Sequence, residues 1–228
     1  MMACRSTKRR PRVVGVIASR ADLERAVRMR RPPDLFELRL DRLVGMADEV
    51  EKVLPRLHAP LIITARDPRE GGANKLRLRQ RRDLLARFLS HADYIDVELR
   101  SARTLRALLA IAKAKNVRPI ISFHDFKSTP SARLLEAKAH NAKALCADIF
   151  KVATRADTAM ELGRLLEFMT SSRRNLSLAV MGIGKLGAIS RVLLARAGSV
   201  LIYASVAAAT KVEGQMSLEQ VRGLGFGP

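Results

Sequence analysis

The chain contains no tryptophan, two tyrosines and seven phenylalanines, so aromatic residues fill only 4% of its 228 positions. Single-strand nucleic-acid binders stack bases on aromatic platforms, and little of that kind is available here. Cysteine is nearly absent. The contexts of Cys4 and Cys146 resemble neither a disulfide framework nor a metal-ligand cluster, which makes a reducing cytoplasm the default location. No apolar run is long enough to span a bilayer; the longest, near Ser199 to Ala209, is short and interrupted. The first residues, Met1 to Arg12, are basic but lack the apolar stretch of a secretory signal. Residues 1–11 read as a basic N-terminal tail that need not be ordered. No Pro/Gly/Ser linker divides the remainder, and residues 12–228 read as one domain, a size that suits a single α/β barrel.

Negative charge is also scarce. Asp and Glu total 22 against 42 Lys and Arg, a formal net charge of +20. A field of that sign attracts anions: nucleic acid, acidic lipid or a carboxylate substrate. The basic residues are spread along the chain, with only a modest cluster at Lys8, Arg9, Arg10 and Arg12. That spread favours a solvated, arginine-rich surface, so neither a specific nucleic acid nor a membrane is expected as a partner.

Short apolar, β-branched runs are abundant and evenly spaced. They are Val13–Ala18, Leu35–Leu40, Leu61–Ala65, Tyr94–Leu99, Pro119–Phe123, Ile149–Ala153, Leu176–Met181 and Ser199–Ala204. Near-continuous apolar runs suit strands covered on both faces, as in a parallel sheet. Between them lie segments of helical spacing. Leu105, Leu108, Leu109 and Ala112 fall on one face of Ser101–Lys115, and Met160, Leu162, Leu165, Leu166 and Met169 on one face of Thr158–Thr170. Ile189–Ala197 is apolar almost throughout. Ser131 and Asp157 are candidate N-caps. The order is βα eight times over, which favours a closed (β/α)8 TIM barrel over an open sheet.

In such a barrel the chemistry sits at the C-terminal ends of the strands, and polar residues gather there. They are Glu37, Arg39 and Asp41 in the second run, Thr64 and Arg66 then Glu70-Gly71-Gly72 after the third, and Asp96 and Glu98 in the fourth. His124 and Asp125 end the fifth, and Lys151 interrupts the sixth. Met181-Gly182-Ile183-Gly184-Lys185-Leu186-Gly187 with Ser190-Arg191 follows the seventh, and Gly214-Gln215 the eighth. Alternation places 37, 39 and 41 on one strand face, lining the barrel mouth. Asp41 and Glu98 fit a salt-bridge layer capping the core as well as they fit ligand contact.

Lys151 is the most informative single residue. Burying a charged, unpaired lysine costs several kcal/mol, which favours the neutral amine, and a neutral amine attacks ketones. A structural ion pair with a carboxylate such as Glu98 is the competing explanation. His124 ends the neighbouring strand, where it is placed for acid–base work, and Glu70 is placed to fix its tautomer and raise its pKa. The glycine-rich run after the seventh strand is either a tight turn or a backbone cradle for an anion.

Taken together, Glu37-Leu38-Arg39-Leu40-Asp41, Thr64-Ala65-Arg66 with Glu70-Gly71-Gly72, Ile121-Ser122-Phe123-His124-Asp125-Phe126, Phe150-Lys151-Val152-Ala153, Met181-Gly182 through Ser190-Arg191, and Gly214-Gln215 resemble the type I 3-dehydroquinate dehydratase family. They stand in that family's order and close to its spacing. The resemblance implies a hydro-lyase that eliminates water from 3-dehydroquinate, an anionic small molecule, at the third step of the shikimate pathway. It also implies a homodimer that needs no metal or cofactor. By the same resemblance Lys151 forms the Schiff base, His124 is the general acid/base, and Glu70 orients it. Glu37, Arg39 and Arg66 hold ring hydroxyls, and Arg191 grips the carboxylate with help from Gln215. The segment Ala209-Thr210-Lys211-Val212-Glu213-Gly214 departs from the family's Ser-Ala-Pro-Gly-Gln. Lys211 takes the place of a substrate-contacting serine, and Thr210 beside it is the candidate replacement. Two alternatives remain: a class I aldolase or transaldolase barrel, using the same lysine with a phosphate on the Gly182–Gly187 loop, and a basic nucleic-acid-binding protein.

Overall fold

The computed structural model describes residues 10–171, 176–207 and 212–228. Each of the eight apolar runs carries a strand: β1 (Arg12–Ile17), β2 (Leu35–Arg39), β3 (Leu61–Thr64), β4 (Tyr94–Glu98), β5 (Arg118–Asp125), β6 (Ile149–Arg155), β7 (Ser177–Ile183) and β8 (Leu201–Ser205). Every strand pairs in parallel with its sequence neighbour from β1 to β7, and β8 pairs with β1. Helices fill the connections, giving the expected TIM barrel.

The barrel is nearly closed. The seam between β7 and β8 has no regular ladder and is joined by Val200 N–H donating to the Leu178 carbonyl at 2.8 Å. Buried Ser199 completes the join. Its Oγ accepts from Val180 N–H and donates to the Leu201 carbonyl, each at 3.0 Å. A hydroxyl can do both at once, so one serine satisfies backbone groups on both strands.

Alternation along the strands divides the core in two. Phe36, Leu38, Ile63, Val97, Ile121, Phe150 and Val152 point outward into the helix layer. Val14, Leu35, Ile62, Tyr94, Ile120 and Ile149 fill the barrel interior. Two residues further along each strand, on the same inward face, stand Glu37, Thr64, Asp96, Ser122 and Lys151, all buried. One step of the pleat thus takes the interior from a hydrocarbon plug to a polar layer. Below the plug, the Tyr94 hydroxyl accepts from Arg12 and Arg118 at 2.7 Å each. Both guanidinium groups also lie about 5 Å from the ring centroid. Part of the basic excess therefore closes the barrel bottom.

Three local expectations change. Strand β2 ends at Arg39, and Asp41 lies in the helical turn Leu40–Leu43, because its carboxylate caps the neighbouring loop. It accepts from the backbone N–H groups of Arg66 (3.2 Å) and Ala73 (2.9 Å) and from the Arg39 fork. Strand alternation therefore does not extend to it. The cap of helix Ala159–Thr170 is Thr158, in a capping box with Glu161; Asp157 instead accepts from Arg155 and from Lys185 N–H. Ser131 does cap its helix. The segment 101–115 divides into Leu99–Ala102 and Arg106–Ala114, although hydrogen bonds from Leu105 to Ser101 and from Leu109 to Leu105 continue through the break. Of the basic tail, residues 1–9 lie outside the described residues, while Arg10 pairs with Asp34 at 2.7 Å.

Candidate active site

A cavity of about 580 Å3 opens at the C-terminal ends of the strands. Lys151 reaches it from the middle of β6, with the side chain 5% exposed. Its Nζ lies 3.2 Å from Glu37 Oε1 and 3.0 Å from Asp96 Oδ2, and 4.0 Å from the centroid of the Tyr203 ring. The amine is therefore paired, contrary to the expectation of an isolated buried lysine, and its partners are not Glu98. A cavity nevertheless stands in front of it.

Glu98 belongs to a salt-bridge layer beneath the mouth. The buried guanidinium of Arg66 forks onto both oxygens of Asp96 (3.1 and 3.0 Å) and also reaches Glu98 (3.2 Å) and Ser122 Oγ (2.6 Å). Burial by itself would lower the Arg66 pKa, but Asp96 and Glu98 more than reverse that, so the cation is fixed. Burial likewise opposes the Asp96 carboxylate, yet Arg66 and then Lys151 hold it well below the usual range. Arg81, buried at the start of the network, bridges Glu98 (2.7 Å) and Asp67 (2.9 Å). Removing one partner from such a network strands buried charge. Arg81→Leu is expected to lose about 3–5 kcal/mol of stability in urea denaturation; a loss below about 1 kcal/mol would show that the layer is solvated.

His124 ends β5 and lines the same cavity as Lys151. Its Nδ1 lies 3.1 Å from Glu70 Oε2, and its backbone N–H donates to that same oxygen at 3.0 Å. Glu70 reaches this position from the turn Pro68–Glu70, which Asp67 caps and Gly71 ends at φ +84°. The geometry expected of Glu70 is present, but its electrostatic effect is not. Burial pushes the His124 pKa well below the ordinary 6.5, and the cations Arg66 and Lys151 push the same way, with Asp96 opposing them. Burial also lifts Glu70 to about 7, with Glu98 adding to the rise and Arg66 and Arg100 opposing it. A carboxyl near neutrality is a weak counter-charge, so it fixes the ring without raising the pKa of the imidazole.

Glu37, Arg39, Arg66, Arg191 and Gln215 all line the cavity. Arg39 is held bidentate by Asp41 at 3.0 and 2.9 Å. Arg191, from helix Gly187–Ala197, is buried with no carboxylate within ion-pair distance among the described residues. Its Nη1 donates to the carbonyls of Gly182 (2.9 Å), Gly187 (3.0 Å) and Gly214 (2.6 Å), while Nε has no partner. Burial alone lowers its pKa to about 10. Thr210 and Lys211 lie outside the described residues.

The glycine-rich run is a tight turn and not an anion cradle. Its amides are spent internally: Gly184 N–H on the Glu213 carbonyl, Lys185 N–H on Asp157, Leu186 N–H on the Ala156 carbonyl and Gly187 N–H on the Gly184 carbonyl. Glycine is needed where this turn meets the next. A Cβ on Gly187 would stand 2.8 Å from Gly214 Cα, and Gly214 itself adopts φ +75°.

Two roles in the site were not read from sequence: Asp96, named there only as a polar residue of the mouth, pairs with the amine, and Tyr203 has its ring under it. Both share strand parity with interior neighbours, so alternation along β4 and β8 carried the signal.

The family model for type I 3-dehydroquinase matches residues 14–224. The chain belongs to the type I 3-dehydroquinase family. Among its relatives is the 3-dehydroquinate dehydratase of Shouchella clausii, 32% identical over 84% of this chain and 80% of that protein. The enzyme of Thermococcus gammatolerans is 30% identical over 93% of this chain and 96% of its own length. A solved structure of the type I enzyme from Clostridium difficile superposes with a TM-score of 0.83 at 25% identity, covering 94% of this chain and 91% of that one. As a member of the type I 3-dehydroquinase family, the protein is a hydro-lyase that converts 3-dehydroquinate to 3-dehydroshikimate and water in the shikimate pathway. The transaldolase alternative loses its phosphate cradle, and the family match favours the hydro-lyase over the nucleic-acid alternative. Among the described residues no helix is long and apolar enough to cross a membrane.

Proposed function

We propose that the dehydration proceeds through an imine between Lys151 Nζ and the substrate ketone, with His124 moving the protons. The carrying observation is that Lys151, His124 and the carboxylate-free cation Arg191 line one cavity. The ammonium first gives up a proton, the freed amine attacks the ketone carbon, and the ketone oxygen leaves as water carrying that proton and a second one from the nitrogen, which gives an iminium. Glu37 and Asp96, which neutralise the ammonium at 3.2 and 3.0 Å, face the same positive charge in the iminium, so covalent capture moves little charge. The iminium draws electrons from the adjacent carbon. His124, held neutral by burial, takes the proton there and returns one to the departing hydroxyl. Hydrolysis of the product imine then releases Lys151.

Arg191 supplies the positive end for the substrate carboxylate. Its anion-free surroundings favour that role, since a buried cation without a counter-charge is stabilised by a carboxylate that docks. Gln215, pinned beside Gly214, assists. Glu37, Arg39 and Arg66 define the hydroxyl side of the ring, with Arg66 already committed to Asp96 and Glu98. Thr210 remains the candidate replacement for the family's serine. Residues 12–228 act as the catalytic domain of a cytoplasmic homodimer, a reading supported by membership of the family. The Clostridium difficile relative is described with covalently modified comenic acid, in keeping with covalent capture.

Borohydride trapping tests the reading directly. Incubation with 3-dehydroquinate and reductant should add one reduced substrate mass at Lys151, and a sugar phosphate should add none. An adduct elsewhere, or none while the conjugated enone still accumulates, would remove the imine. Arg191→Ala should lower kcat/KM by about 10–100-fold, mainly through KM, as expected for the loss of a charged hydrogen bond. An unchanged KM would assign the carboxylate to another cation.

A further inference from the structure

A second cavity, of about 420 Å3, lies behind the wall that His124 and Glu70 present to the first. Those two residues line both cavities. The second is walled by exposed Arg69, Arg100, Phe126 and Lys127, so it opens to solvent on the helix side of the barrel. The Glu70 carboxyl spans the wall. Oε2 meets His124 Nδ1 at 3.1 Å, while Oε1 faces the Arg100 guanidinium, 4.0 Å from its Nε. Orienting the imidazole requires only Oε2. The placement of the other oxygen toward a solvent-connected chamber is unexplained by that role.

We propose that Glu70 carries protons between His124 and the solvent of the second cavity, and that Arg100 is a positioning residue that sets the charge on Glu70. The proposal rests on His124 being the acid–base group. When Nε2 takes the substrate proton, Nδ1 passes its own proton to Glu70 Oε2. The ring stays neutral and Glu70 becomes a carboxylic acid. Return of that proton to Nδ1 frees the Nε2 proton for the leaving hydroxyl. Alternatively, the acid gives its proton to water in the second cavity, and one proton taken up from solvent restores the balance. A neutral imidazole suits the surroundings of His124, where burial and then the cations Arg66 and Lys151 disfavour imidazolium against the opposing Asp96. A carboxyl lifted to about 7 is a matched acceptor.

Other charges facing Glu70 are fixed. Arg66 from the end of β3 favours its carboxylate and Glu98 from β4 disfavours it. In the second cavity Asp125 is occupied in accepting from Lys127 and Ser128 N–H, Arg69 is paired with Asp67, and Lys138 lies over the Phe123 ring. Lys127 also lines the second cavity, but the cation that approaches Oε1, at 4.0 Å, is the half-exposed Arg100.

The test compares pH profiles of kcat/KM for the full-length enzyme and for Arg100→Met, Arg100→Lys and Glu70→Gln. Removing the Arg100 cation should move the limb near neutrality upward by about one pH unit; lysine should return it, and glutamine at 70 should abolish it. A limb that stays in place in Arg100→Met, or survives in Glu70→Gln, overturns the relay. Borohydride trapping on the same samples separates the two levels. An adduct at Lys151 with an unmoved limb rejects the relay alone, and no adduct in the unsubstituted enzyme rejects the parent mechanism.

Discussion

Lys151→Ala is expected to lower the dehydration rate on the order of 10^4-fold or more and to abolish the borohydride adduct, because among the described residues no other lysine lines the cavity. The fold should survive the change. Asp96 keeps the bidentate Arg66 fork and the Ser122 hydroxyl, and Glu37 keeps the Thr64 hydroxyl at 2.9 Å. The truncation therefore removes the nucleophile while leaving each carboxylate a donor. The measurement is enone absorbance on adding 3-dehydroquinate, beside a thermal melt of the same sample. A folded variant that kept a tenth of the activity would show that Lys151 is only an ion-pair partner.

The second large effect is expected at His124. His124→Ala should slow turnover by about 10^2–10^4-fold, the usual range for losing a general acid–base group, yet leave the imine trappable. The two functions separate because the amine and its carboxylates sit on β6, β2 and β4, whereas the histidine and its glutamate sit on β5 and the turn after β3. Adduct yield should match or exceed that of the unsubstituted enzyme when hydrolysis of the imine also slows. Loss of both adduct and turnover would place His124 in imine formation alone; normal turnover would take it out of the chemistry. Glu70→Ala should be milder than either, since Lys151 and the imidazole both remain.

Much of this was legible in the residues. Eight apolar runs at regular intervals, each short and dense, mark strands covered on both sides, and the structure places a strand at every one of them. The same pleat that reads Leu35-Phe36-Glu37-Leu38 as in-out-in-out puts Glu37 in the mouth, and it does the same for Asp96, Ser122 and Lys151. Where the strand stops, that reading stops too. Asp41 continues the alternation on paper but turns into a helix, because its carboxylate has two loop amides to cap.

Residue identity and period thus determined the barrel, the inward face of each strand and the chemical types gathered at its mouth. Those properties are local, set by a two-residue repeat and by the cost of leaving apolar or charged groups in the wrong layer. Which groups meet across the barrel was decided only by closure. The pairing of Lys151 with Glu37 and Asp96 joins β6 to β2 and β4, the layer under it commits Glu98 to Arg66 and Arg81, and the amides of 184, 185 and 186 are used up by contacts to residues 213, 157 and 156. Strand stagger and loop docking bring those partners together from distant parts of the chain, and a periodicity that repeats every two residues holds no information about either.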